Sequence, residues 1–211
     1  MIADDPMAFW DDRAQLPGMY PVLTRRWSPQ ECLAADQIQR DLIFSLMPDL
    51  LSRTVLDLGC GIGRLTIPIS YRTGRVYGVD ESHAMLRRAV SRSAKSSARF
   101  IAASACHLPF ADGFFERVLC VCVLQHILPD AEYHQAMEEL ARVAAPGATA
   151  LLIDGIADSK TEVLGTTPIA LRSWNTYSQI LEAKFRLLKR QSFSCLDDQY
   201  IASLWERRKL S

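Results

Sequence analysis

The feature that most constrains the fold of this chain is a run of alternating glycines. Gly59, Gly61 and Gly63 follow the apolar stretch Val55–Leu58 and precede a helix-like stretch at residues 64–71. This pattern predicts a short buried strand, a tight turn and a helix. Glycine in such a turn adopts positive φ and has no Cβ, so a ligand can lie directly against the backbone. Strand-to-helix turns of this kind bind nucleotides in open α/β sheets.

Strand-like and helix-like patterns alternate through the middle of the chain. The predicted strands are residues 55–58, 75–79, 99–103, 117–124 and 148–153, and the predicted helices are residues 64–71, 82–95 and 131–144. Such alternation predicts an α/β fold, a doubly wound, Rossmann-like and mostly parallel sheet with helices on both faces. After Asp154 we expect a polar loop and a short helix at 176–183. Two strand patterns, 185–193 and 200–207, predict an antiparallel C-terminal edge hairpin.

The first 50 residues differ from the rest because they are rich in aromatic side chains. Ser28 and Pro29, followed by Glu31, are typical of a helix start, and apolar residues then recur at helical spacing until Pro48. We therefore expect residues 1–50 to form an N-terminal helical cap or lid. Residues 51–211 are expected to form one globular domain.

Composition excludes several classes of partner. The 211 residues are 49% hydrophobic, and 24 basic residues balance 24 acidic ones. No global field therefore steers the chain toward nucleic acid or an anionic membrane. The acidic N-terminus has no signal-peptide core, and the apolar run Val118–Leu124 is too short to span a bilayer. We expect a cytoplasmic protein with a small-molecule ligand. The six cysteines lack zinc-site spacing, so we expect reduced thiols and no metal.

An acidic residue ends the second predicted strand, where Asp80 follows Asp57 by 23 positions. A carboxylate there can accept hydrogen bonds from both hydroxyls of a ribose. Together, the segments 55–63 and 76–80 resemble the class I S-adenosylmethionine-dependent methyltransferases, small-molecule type. The segments Leu108–Val118 and Glu138–Gly147 resemble stretches of the same family. This resemblance covers residues 50–155 and implies S-adenosylmethionine as cofactor and S-adenosylhomocysteine as product.

The resemblance also implies a set of cofactor-binding residues. Asp57 and the backbone of the glycine turn would face the methionine part, and Asp80 would hold the ribose. Ser104 and Ala105 would lie at the adenine, where relatives commonly have an acid in place of Ser104. The full cofactor set is Asp57, Gly59, Cys60, Gly61, Gly63, Asp80, Glu81, Ser104, Ala105 and Gln125.

Candidates for catalysis follow the fourth and fifth strands, because ligands gather at the carboxyl ends of strands in open α/β sheets. His126 suits a general base, since imidazole titrates near neutral pH, and it is also compatible with a pocket-shaping role. Asp154 is a candidate for orienting the nucleophile or for simple capping. The candidate substrate residues, each equally compatible with packing, are Tyr20, Trp27, Arg172, Trp174 and Tyr177.

Three functions remain open at this level. The first is methyl transfer to oxygen, nitrogen or carbon of a small molecule by in-line displacement. The second is a regulatory or structural protein that binds S-adenosylmethionine without transfer. The third is an NAD-dependent oxidoreductase, which the acid two places before the first glycine argues against.

Basic residues near the C-terminus are only weak evidence for an RNA ligand. They alternate with apolar residues, and this alternation is typical of the solvent-exposed face of an edge strand. The oligomeric state stays undetermined.

Overall fold

The computed structural model describes residues 6–24, 26–50, 53–157, 162–163 and 169–209. The strands are β1 (Val55–Leu58), β2 (Val76–Asp80), β3 (Arg99–Ala102), β4 (Phe115–Val121), β5 (Ala144–Asp154), β6 (Ile156–Ala157), β7 (Glu162–Val163), β8 (Ala170–Ser173), β9 (Phe185–Cys195) and β10 (Asp198–Arg207). The helices are α1 (Pro6–Arg13), α2 (Pro29–Leu46), α3 (Thr66–Ser70), α4 (His83–Arg92), α5 (Asp130–Val143) and α6 (Trp174–Glu182). A 3₁₀ turn spans Leu124–His126.

Seven strands form the main sheet, in the order β3-β2-β1-β4-β5-β10-β9. The pairs from β3 to β5 are parallel. β10 runs antiparallel to β5, with Ile201 opposite Asp154, and β9 forms the antiparallel edge. The order reverses between β1 and β4, which is where open α/β sheets bind ligands. The predicted Rossmann-like sheet and its C-terminal hairpin are confirmed.

Helices cover both faces of this sheet. On one face, Leu140 of α5 packs in the same buried cluster as Trp205 of β10. On the other, Ile43 of α2 and Ile69 of α3 pack against Leu119 of β4. Each such side chain contributes about 1.5–3 kcal/mol by leaving water. The inner parallel strands β1, β2, β4 and β5 are largely buried from both sides, which explains why their sequences are mostly apolar. The edge strand β3 is partly exposed.

Helix α2 begins where its sequence signals predict. The Ser28 hydroxyl accepts a hydrogen bond from the Glu31 N–H, and the Glu31 carboxylate accepts one from the Ser28 N–H. This reciprocal pair, with Pro29 at the first helical position, satisfies amides that a helix start leaves open. The helix ends at Leu46, two residues before Pro48. Because α2 packs on the sheet, the division into a 1–50 lid and a 51–211 domain stays a prediction, and residues 1–5 lie outside the described ranges.

Helix α1 and the turn after it are held against α4. The Asp11 carboxylate accepts hydrogen bonds from the Ser82 hydroxyl and, at 3.4 Å, from the Ala84 N–H. The Arg88 guanidinium donates to the backbone carbonyls of Ala14 and Leu16. These contacts fix the N-terminal segment beside the carboxyl end of β2.

Among the described helices, none has both the length and the apolar character needed to cross a membrane.

Two local expectations differ from the structure. β4 ends at Val121 rather than at residue 124, because Cys122 adopts a left-handed φ of 57° that breaks the strand. Where a polar loop was expected after Asp154, β6, β8 and β7 pair as a small second sheet. The remainder of that expected loop, residues 158–161 and 164–168, lies outside the described ranges. Such two- to four-residue strands form through tertiary pairing and leave almost no periodic signal.

Candidate active site

A cavity of about 1240 Å³ opens at the carboxyl ends of the parallel strands. Its floor comes from the turns that follow β1, β2, β3 and β4, and its remaining walls come from the N-terminal segment, β8 and the start of β10. The sequence-predicted residues that line it are Trp27, Asp57, Gly59, Cys60, Gly61, Asp80, Glu81, Ser104, Ala105, Gln125 and His126. The fold therefore brings most of the predicted site together.

The glycine turn has the backbone geometry that its sequence predicts. Gly59, Gly61 and Gly63 have φ values of 69°, 51° and 74°. A Cβ on Gly59 would lie 2.2 Å from Val123 Cγ2, and a Cβ on Gly61 would lie 2.4 Å from Val22 Cγ1. Other residues would be strained in conformation and would also clash. Gly63 lies behind the cavity, where its Cβ would meet Phe100 at 3.1 Å.

Hydrogen bonds tie this turn to β2. The amides of Gly59 and Cys60 both donate to the carbonyl oxygen of Val79, at 2.8 and 2.9 Å. The Asp80 carboxylate accepts from the Gly61 N–H at 2.8 Å and from the Ser82 N–H at 2.9 Å. Burial raises the pKa of Asp80, and these two amides oppose that rise. Asp80 is thus held in place at the edge of the cavity, with lone pairs left for a ligand.

Asp57 lies deeper than Asp80 and is 2% exposed. Its carboxylate accepts a hydrogen bond from the Thr66 hydroxyl. Desolvation raises its pKa to about 6, although the Thr66 bond and the nearby Arg64 charge lower it. The Arg64 guanidinium itself donates to Asp36 and Gln39 on α2. Asp57 therefore supports the glycine turn from below as well as contributing to the cavity floor.

The turn after β3 closes the next side of the cavity. Ser104 and Ala105 both line it, as does the exposed Glu81 across from them. The Ser104 hydroxyl accepts a weak hydrogen bond from the Cys106 N–H, at 3.3 Å. A hydroxyl can both donate and accept, so Ser104 keeps a donor and an acceptor site for a heterocycle.

His126 faces the cavity from the 3₁₀ turn after β4. Its ring packs edge-to-face against Trp10 of α1, with ring centroids 4.8 Å apart. The neighbouring Gln125 accepts a hydrogen bond from the Gly155 N–H at 2.9 Å, which fixes the turn to the end of β5. His126 is thus held between the sheet and the N-terminal segment, where an imidazole can meet a bound molecule.

Asp154 lies beneath this turn and does not line the cavity. It is 2% exposed, and it accepts hydrogen bonds from the Gln125 N–H and the Tyr177 hydroxyl, both at 3.3 Å. Burial raises its pKa to about 7. The turn after β4 thus separates Asp154 from the cavity, and its expected role in orienting a nucleophile stays a prediction.

Four of the five predicted substrate residues also lie outside the cavity lining. Arg172 and Tyr177 are each 3% exposed, in the layer between α5, α6 and the sheet. Trp174 stacks on Tyr177 and on Trp205. Tyr20 offers its backbone carbonyl to Arg13. Their positions depend on β8 and on the path of the N-terminal segment, neither of which the sequence pattern predicts.

Several lining residues were missed by sequence reasoning. They are contributed by the N-terminal segment, by the end of β4 and by the β9–β10 hairpin, and include Met7, Trp10, Arg13, Val22, Arg26, Cys122, Asp198 and Tyr200. Arg26 and Asp198, which both line the cavity, form an ion pair at 2.7 Å. The one sequence signal for these lining residues was the high aromatic content of the N-terminal segment. Burial raises the pKa of the Cys122 thiol to about 12, so it is not a reactive thiolate.

The site fits the cofactor that the resemblance implies. Positive-φ glycines without Cβ atoms form a cradle, and the Asp80 carboxylate lies one strand away from it. A nucleoside needs this combination of close backbone approach and hydroxyl acceptor. Among the described residues, no group of three or more His, Cys, Asp or Glu side chains could hold a metal ion.

Sequence comparisons agree with this geometry. A family model described as a methyltransferase domain matches residues 55–147. A methyltransferase named GfsG from Streptomyces halstedii is 32% identical over 120 residues, covering 54% of this chain and 42% of that protein. A 2-phytyl-1,4-naphtoquinone methyltransferase from Nostoc punctiforme is 32% identical over 128 residues, covering 57% of this chain and 54% of that protein. The chain thus spans about half the length of these curated relatives.

Solved structures share the fold at low identity. The N-methyltransferase NodS from Bradyrhizobium japonicum, solved with S-adenosyl-L-homocysteine, has a TM-score of 0.76 and 14% identity, covering 98% of this chain and all of that one. The magnesium protoporphyrin IX methyltransferase from Synechocystis, solved with S-adenosylmethionine, has a TM-score of 0.73 and 20% identity, covering 97% and 98%. Residues 55–147 thus match a methyltransferase-domain model, and the chain shares the fold of solved S-adenosylmethionine-dependent methyltransferases.

Proposed function

We propose that this chain transfers the methyl group of S-adenosylmethionine to a small-molecule acceptor. The observation that carries the proposal is a single cavity that joins the glycine turn and Asp80 to His126. A cofactor held at the first two places and an acceptor held near the third would share this one cavity. Curated relatives bear names with small organic acceptors, such as a probable tocopherol O-methyltransferase from rice and a norajmaline N-methyltransferase from Rauvolfia serpentina.

The cofactor supplies an electrophilic methyl group on a sulfonium, so the protein's task is to hold and align the acceptor. Alignment of two bound reactants contributes about 7–11 kcal/mol toward lowering the barrier. In this proposal Asp80 accepts from the ribose hydroxyls, and the glycine turn lies against the methionine part. Ser104 and Ala105 border the adenine.

His126 is proposed to take the proton that an acceptor O–H or N–H loses as its bond to the methyl carbon forms. Trp10 packs on the imidazole ring and limits its orientation, which keeps it aimed at the cavity. A positioned base accelerates such a step by roughly 10²- to 10⁴-fold. Asp154 acts through the turn, because it holds the Gln125 amide beneath His126.

The test uses S-adenosylmethionine labelled at the methyl group, incubated with the protein and a small-molecule extract. We expect label on a low-molecular-weight product. His126→Ala should lower the maximal rate by roughly 10²-fold or more, while its affinity for S-adenosylhomocysteine stays close to wild type. His134→Ala, on the exposed face of α5, is the matched control and should keep full activity.

Other outcomes separate the alternatives. Tight S-adenosylhomocysteine binding with no label transfer across extracts would indicate a binding protein without transfer. The fold does not by itself require methyl transfer, since a protein described as a [4+2]-cyclase shares it with a TM-score of 0.70 at 18% identity. Equal losses of rate and cofactor affinity in His126→Ala would instead give His126 a structural role.

A further inference from the structure

The cavity has two chemically different ends. The end at the glycine turn is polar and includes Asp57, Asp80, Glu81 and Ser104. The end beyond His126 is bordered by hydrocarbon. We call this border the apolar wall, formed by Ile127, Leu128, Ile156, Ile169 and Leu171.

The apolar wall is built where the small second sheet meets the turn after β4. β6 follows β5 directly after Gly155, and Ile156 of β6 pairs with Arg172 of β8. A Cβ on Gly155 would lie 2.9 Å from Leu171 Cδ2 and 3.2 Å from Gln125 Oε1. The Leu171 side chain therefore reaches the end of β5 beside Gln125. This places the wall next to His126, the neighbour of Gln125 in the chain.

Arg172 removes polar groups from this wall. Successive strand residues point to opposite faces, so Arg172 points away from the cavity that Leu171 lines. Its guanidinium donates to the carbonyls of Ile127 at 2.9 Å and of Leu128 at 3.1 Å. It also pairs with Asp130 at 2.9 Å and lies 3.8 Å from the Tyr133 ring centroid. Because Arg172 binds both carbonyl oxygens on the side away from the cavity, the wall presents hydrocarbon to the cavity.

The charged side chains that line the cavity away from the glycine turn have surroundings of their own. Arg26 pairs with Asp198, and Arg64 pairs with Asp36. The Arg13 guanidinium donates to the carbonyls of Pro21, Tyr20 and Leu23, which bind it to the N-terminal turn. Glu132 lies exposed on α5, where water solvates it. Placing an ionised group against the wall would remove its hydration without a paired countercharge, which is strongly unfavourable.

We infer that the acceptor is an uncharged, mostly apolar molecule that packs on the apolar wall and presents one polar atom toward His126. This inference rests on the proposed function, since it names the substrate class for the same cavity. Leu171 is then a specificity-determining residue. Gly155 sets how far the Leu171 side chain extends into the cavity, because any Cβ there would displace it.

The experiment compares two matched probes on protein saturated with S-adenosylhomocysteine. 2-Naphthol is uncharged at neutral pH, and 6-hydroxy-2-naphthoate has the same ring system with a carboxylate. We expect calorimetry to show 2-naphthol binding at least about tenfold more tightly. Leu171→Asp should weaken 2-naphthol binding by about tenfold or more, and should leave S-adenosylhomocysteine affinity unchanged. Leu188→Asp, at an exposed leucine on β9, is the control and should change neither affinity.

Two results would overturn the inference. One is equal or tighter binding of the carboxylate probe, and the other is unchanged 2-naphthol binding in Leu171→Asp. If that variant does not fold, Ile169→Asp changes a half-buried wall residue outside any strand and serves the same purpose. Failure of S-adenosylhomocysteine to bind the wild-type protein would instead count against the proposed function. The two failures are therefore distinguishable.

Discussion

Replacing Asp80 with alanine tests the cofactor site most directly. The Asp80 carboxylate bonds the amides of Gly61 and Ser82 at 2.8 and 2.9 Å, and its remaining lone pairs face the cavity. If these bind both ribose hydroxyls, the loss should cost about 1–3 kcal/mol of cofactor affinity. That range corresponds to about 5- to 150-fold weaker binding.

Calorimetry with two ligands makes this measurement specific. Wild-type protein should bind S-adenosylhomocysteine more tightly than its 2′-deoxy analogue, because the analogue leaves part of the carboxylate unpaired. Asp80→Ala should bind both ligands with nearly equal affinity. Urea unfolding of the unliganded variant measures the separate cost of losing the Gly61 and Ser82 contacts.

Asp80→Asn serves as the conservative control, since its amide oxygen keeps one acceptor in place. We expect intermediate affinity from this variant. If Asp80→Ala discriminated between the two ligands as well as the wild type does, the Asp80 carboxylate would not bind the ribose. A fall in stability with unchanged discrimination would mean that Asp80 serves only the fold.

Two further predictions concern the glycine turn and the buried acid beneath the site. Gly59→Ala should destabilise the protein by about 1–3 kcal/mol in urea unfolding and abolish cofactor binding, because φ is 69° and the new Cβ would meet Val123. Gly74→Ala, whose Cβ would meet nothing within 4 Å, should be neutral. Burial raises the pKa of Asp154 from 3.8 to about 7, so the native state binds more protons between these values and stability falls as pH rises through them. Asp154→Asn should flatten the decline in melting temperature between pH 5 and pH 8. At pH 8 its free energy of unfolding should exceed that of the wild type by up to about 4 kcal/mol. An unaltered pH profile of the melting temperature would contradict this.

The central sheet could be predicted from sequence because its signals are local. The inner parallel strands are short, mostly apolar runs, and the longer helices between them have helical periodicity of their own. The start of α2 was also predictable, since Ser28 and Glu31 satisfy each other's amides over three residues. The hairpin of β9 and β10 followed from two strand patterns close together in the chain.

The predicted site residues also differ in whether local sequence signals or tertiary packing decide their positions. Asp80 and the three glycines occupy positions where a strand ends in a turn, and the local pattern reveals this. Asp154 also ends a strand, yet the turn after β4 folds over it. The turn that covers Asp154 depends on the left-handed backbone conformation of Cys122. A cysteine in the sequence does not predict this conformation, because non-glycine residues rarely adopt it.

The sequence by itself determined the sheet and the glycine turn, because hydrophobic periodicity and the special backbone freedom of glycine are properties of short segments. Tertiary structure alone decided what encloses the rest of the cavity. Trp10 reaches His126 through the docking of α1, and Leu171 reaches the end of β5 through the pairing of two very short strands. Contacts between distant segments depend on the packing of the whole chain, so the acceptor end of the site emerges only in the folded protein.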